Sequence, residues 1–154
     1  MSWFELLLSL HILAIATWFG SGLAITAMGF QALKTGPESF GTVVLPATKW
    51  AGKAHPAAGV VLLLTGFGLI GDSDVYEFGD TFVILGLVGL VVAMGIGGAL
   101  IGRTADGIVK RIESGAMTAE ELSDSGRQLL LYTRIELSIL VLLIVDMIAK
   151  PGFG

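Results

Sequence analysis

The chain has 154 residues, of which 54% are hydrophobic and only 14% charged, with a mean hydropathy of +0.84. A soluble domain of this length carries nearer a quarter charged residues, so the composition excludes an ordinary soluble fold and points to a single polytopic membrane bundle. The absence of cysteine excludes disulfides, thiolate metal sites, thioether haem attachment and a cysteine nucleophile, and the net charge of −4 hides a strongly uneven distribution.

The first predicted span covers residues 3–33. No Asp, Glu, Lys or Arg occurs from Leu6 to Leu33, and ~20 apolar residues at ~1.5 Å rise already cross a ~30 Å hydrocarbon layer. Trp3 and Phe4 suit an interfacial anchor. With Glu5 as its only early charge and so long an apolar run, the N-terminus does not fit a cleavable signal peptide. Thr35-Gly36-Pro37 ends the helix, and Gly36 to Gly41 is predicted as a short turn.

The second span is predicted over 46–71. Pro46 fits the first turn, Lys49 and Lys53 snorkel towards headgroups, and Pro56 lies inside the helix and kinks it beside His55. The alternative is an interfacial helix ending near Lys53, with the span starting at Pro56. Gly71 to Asp80 is an acidic loop, GDSDVYEFGD. Its Asp72, Asp74, Glu77 and Asp80 match no calcium-loop pattern, and Asp80 reads as the cap of the third helix. That helix spans 80–102 and continues as a polar helix to 113. Thr118 to Glu121 fits a capping box, and the fourth span is placed at 128–148. The fold class is therefore an all-α, four-transmembrane-helix bundle.

Eight of the nine basic residues fall in the first and third connections or at their helix ends, and only Lys150 lies at the opposite end. The positive-inside rule then predicts an N-out/C-out topology, with both termini and the acidic loop outside and both basic connections in the cytoplasm.

The two histidines, His11 and His55, both lie in apolar segments. An ionisable or metal-binding side chain within a span is a functional-site hypothesis by default, and neutral imidazole is a common haem and metal ligand. His11, Trp18, Gly22, Ile25 and Gly29 fall on one face of the first helix. Gly52, Gly59 and Gly66 form a stripe on the second, next to His55. These glycines are helix contacts or the sides of a slot for a flat ligand such as a porphyrin. Counted from the helix ends, His11 lies ~12 Å and His55 ~24 Å from the outer side. One iron held by both is therefore disfavoured, leaving His11 as a single axial ligand or two sites at different depths. Met28 and Met94 read as packing.

Arg134 snorkels, pairs with Glu136 or a lipid phosphate, or holds a haem propionate. Glu136 relays protons or pairs with Arg134. The glycine-rich stretches lie inside spans and not between a strand and a helix, so no nucleotide-binding loop is present, and no nucleic-acid partner is needed.

HILAIATWFGSGLA near the N-terminus and HPAAGVVLLLTGFGLI in the second span resemble a family of small four-span bacterial integral-membrane proteins of unknown function, distantly similar to CopD-type and HemJ-type membrane proteins. The resemblance implies a first-span histidine, here His11, near haem, and a lysine on a later helix, for which Lys53 is the nearest position. CopD-type similarity implies copper handling. The expected function is binding of haem b by His11, His55 and Arg134 for electron transfer or haem handling in a bacterial cytoplasmic membrane. The alternatives are an accessory or scaffold subunit docking other membrane subunits or further copies of itself, and a metal or small-solute permeation protein.

Overall fold

The computed structural model describes residues 1–152 of the chain. Helix α1 runs over Trp3–Thr35. Its start is fixed by a capping box: the Glu5 N–H donates to Ser2 Oγ at 3.1 Å, and the Ser2 N–H donates to the Glu5 carboxylate at 2.7 Å. Gly36, at φ 125°, ends it in a conformation that a side chain would strain.

The predicted turn after α1 is mostly helical. α2 is the single turn Pro37–Ser39, followed by a π-helical stretch Phe40–Val44 that leads directly into α3, Leu45–Gly71. Tertiary packing overrides the local loop signal here, because Phe40 and Val44 are fully buried in a cluster with Ile25, Ile108, Leu129 and Leu130. Pro46 sits in the first turn of α3 and Pro56 in its interior. Pro56 has no N–H to offer the carbonyl of Gly52, four residues back.

The third span is one helical run with a defect in it. α4, Thr81–Gly95, passes through a seven-residue π-helical segment, Ile96–Gly102, into α5, Arg103–Glu113. Asp80 is the first cap residue in backbone terms, yet its carboxylate accepts from the Glu77 N–H at 2.9 Å and makes no capping bond. α6 covers Ala119–Ala149 and is capped as the sequence predicts, with Glu121 N–H donating to Thr118 Oγ1 at 3.2 Å and Thr118 N–H to the Glu121 carboxylate at 2.9 Å. Thr118→Ala is expected to lower stability by about 1 kcal/mol, seen as an earlier midpoint when helical circular dichroism is followed during SDS titration. An unchanged midpoint would mean that this cap is not used.

Among the described residues four helical runs are long and apolar enough to cross a membrane: Trp3–Thr35, Phe40–Gly71, Thr81–Glu113 and Ala119–Ala149. Among the described residues there are no strands. α1 packs on α3 and α6, and α4 packs on α6. Gly22 and Gly29 admit Leu137 and Leu130 of α6 at close range, while Gly59 admits Trp18 and Met94. Leu13, Leu64, Val91 and Leu142 are exposed, whereas Thr48, His55, Thr65, Thr133 and Glu136 are buried. Apolar groups outside and polar groups inside are the arrangement expected when the solvent is lipid.

Candidate functional site

The antiparallel seam between α1 and α3 carries two matched polar contacts. His11 Nδ1 lies 2.9 Å from Thr65 Oγ1, and His55 Nε2 lies 2.9 Å from Ser21 Oγ. In each pair one helix supplies the imidazole and the other the hydroxyl. The two contacts are ten residues apart on both helices, ~15 Å along the seam.

The hydroxyl protons define the tautomers. Thr65 donates to the Val61 carbonyl at 2.6 Å, and Ser21 donates to the Thr17 carbonyl at 2.6 Å. Each hydroxyl has one hydrogen, so each accepts from its histidine. His11 therefore carries its hydrogen on Nδ1, leaving a lone pair on Nε2. His55 carries its hydrogen on Nε2, leaving the Nδ1 lone pair. A ring N–H donated to a fixed acceptor is the usual support of a metal-binding imidazole, since it orients the ring and settles which nitrogen is free.

The surroundings of the two rings differ. His11 is half-buried against Gly66 and lines neither of the two cavities described here. His55 is buried and lines a cavity of ≈ 720 Å³ between α3, the π-helical segment Ile96–Gly102 and α6. Its Nδ1 faces Glu136 Oε2 at 3.9 Å. Glu136 is only 1% exposed, and Oε2 has no hydrogen-bond partner. Its other oxygen accepts from Trp18 Nε1–H at 3.3 Å. The Trp18 and His55 ring centroids lie 5.6 Å apart.

The π-helical segment makes the space. A π turn is wider than an α turn and is frequent at functional sites. A Cβ on Gly97 would stand 2.7 Å from Glu136 Oε1, so glycine is what lets the carboxylate lie there. Gly98 has nothing within 4 Å of a built Cβ and opens directly onto the cavity. Gly98 and Gly102 both border this space, while Gly86 and Gly89 pack against Met147 and Leu143. Lys49 and Lys53, one turn apart on α3, line the same cavity.

Arg134 lies elsewhere. It is exposed, with its guanidinium 5.9 Å from the Phe30 ring centroid, and borders a separate cavity. The expected pairing of Arg134 with Glu136 is absent, because residues two apart on a helix point to nearly opposite sides. That same spacing is the signal that identifies Glu136 as inward-facing once Arg134 is taken to snorkel.

Among the described residues no three His, Asp or Glu side chains converge in a way that could hold a bare metal ion. A porphyrin brings four nitrogens of its own and asks the protein for one or two donors. Its body also needs apolar walls, here Trp18, Ile25, Met94 and Ile101, and its carboxylates need cations, here Lys49 and Lys53. The volume falls within the ~300–1,000 Å³ usual for ligand sites. The cavity is thus of ligand size, with one imidazole, two lysines and apolar walls beside the carboxylates of Asp106 and Glu136. No family model, no curated protein and no solved structure matches this chain.

Proposed function

We propose that this chain is a haem-b-binding multi-pass protein of the bacterial cytoplasmic membrane, serving electron transfer or haem handling, with the cofactor in the His55 cavity. The observation that carries this reading is that one cavity is lined by a buried imidazole, two lysines and a glycine-opened π segment. His55 would supply a nitrogen donor to the iron and Ser21 would hold its ring. Lys49 and Lys53 would meet the propionates, while Trp18 and Met94 would keep water from the ring face. Bound haem supplies one-electron redox chemistry. The HemJ-type resemblance favours His11 as ligand; the open space beside His55 favours His55. The basic residues at one end of the bundle support an orientation with both termini outside and the lysine mouth in the cytoplasm.

The test is an absorption spectrum of the detergent-purified protein expressed with haem supplied. A Soret band with reduced α and β bands, lost in His55→Ala and kept in His11→Ala, is the expected result. A colourless protein, or a band lost only in His11→Ala, would overturn this assignment. The colourless outcome would leave the accessory-subunit reading.

A further inference from the structure

A second cavity, of ≈ 220 Å³, lies between α1 and α6 and is lined by Phe30, Leu33, Arg127, Leu130, Leu131 and Arg134. It shares no lining residue with the His55 cavity. Arg127 and Arg134 are seven residues, two helical turns, apart on α6, so they lie on one stripe. Both are exposed, and neither has a carboxylate within ion-pair distance among the described residues, where the pairs are His55–Glu136 and Arg111–Glu121. Two unpaired guanidiniums thus border a furrow whose remaining walls are hydrocarbon. Arg134 is held over Phe30, at the boundary between the two kinds of surface.

We propose that this furrow binds one anionic phospholipid, its phosphate between Arg127 and Arg134 and an acyl chain along Phe30, Leu33, Leu130 and Leu131. Charge complementarity and position select this occupant. Guanidinium is a forked donor matched to phosphate oxygens. The ligand must carry its anion directly beside an apolar chain, as an amphiphile does and a soluble anion does not. The furrow also lies at the basic end of the bundle, on helices long and apolar enough to span a membrane, so a headgroup there would have its own tail at hand.

Native mass spectrometry of the full chain, released from detergent with equimolar phosphatidylglycerol and phosphatidylcholine of the same acyl chains, tests this. The wild type should retain one phosphatidylglycerol in preference to phosphatidylcholine. Arg127→Gln combined with Arg134→Gln should lower that retention about tenfold or more, while Arg103→Gln on α5 leaves it unchanged. Arg134→Lys, which keeps the charge and the fold but loses the fork, should give an intermediate loss. Equal retention of the two lipids would overturn the proposal, as would a double variant that still selects phosphatidylglycerol or an equal loss in Arg103→Gln. Displacement of the lipid by millimolar inorganic phosphate would also overturn it, since the site would then recognise phosphate without the chain.

Discussion

Trp18→Ala should destabilise the bundle by about 3–5 kcal/mol, the range for emptying a large aromatic site. Trp18 is 1% exposed and fills the middle of the bundle against Gly59, Met94, His55 and Glu136. Lipid gives helices no hydrophobic reason to associate, so such contacts are held by packing and by internal hydrogen bonds. Removing the ring forfeits its dispersion contacts and leaves Glu136 Oε1 without its donor. The cost divides cleanly with a second variant. Trp18→Phe keeps most of the volume but loses Nε1–H, so about 1–3 kcal/mol should remain as the penalty of an unsatisfied buried acceptor. Trp3→Ala, at a position 62% exposed, should change little. SDS titration followed by circular dichroism reads all three; a Trp18→Ala midpoint no lower than that of Trp3→Ala would refute the packing role.

Haem affinity should fall by more than about 100-fold in His55→Ala and by about 10–100-fold in Ser21→Ala, the usual cost of removing the group that orients a ligand. Ser21 Oγ accepts the His55 Nε2 hydrogen and passes its own to the Thr17 carbonyl, so without it the ring loses both its orientation and its settled tautomer. Hemin titration of the purified variants measures both losses. A Ser21→Ala protein that binds as tightly as wild type would mean that the ring is held by other contacts.

The four spans were legible in the sequence because each is a long uncharged apolar run, and the start of α6 because Thr118 and Glu121 form a local motif. The helical route from Pro37 to Val44 was not, since it depends on Phe40 and Val44 being buried by residues distant in the chain. The two histidines stood out by scarcity, and their difference in depth followed from counting along the helices. Which of them borders open space did not, because that depends on the π-helical Ile96–Gly102, and glycine-rich helices serve close packing as readily as they open gaps. Glu136 stands two positions from Arg134 in sequence, but its contacts are Trp18 and His55, 118 and 81 positions away.

Hemin titration of wild type beside Gly98→Leu tests the cavity assignment most directly. Gly98 has open space where its side chain would grow, so leucine should fill the site and leave the helices intact. The expected result is a one-to-one Soret shift in wild type and none in Gly98→Leu, with equal circular dichroism and equal resistance to SDS. A wild type that leaves the hemin spectrum unchanged, or a Gly98→Leu protein that binds equally well, would contradict it.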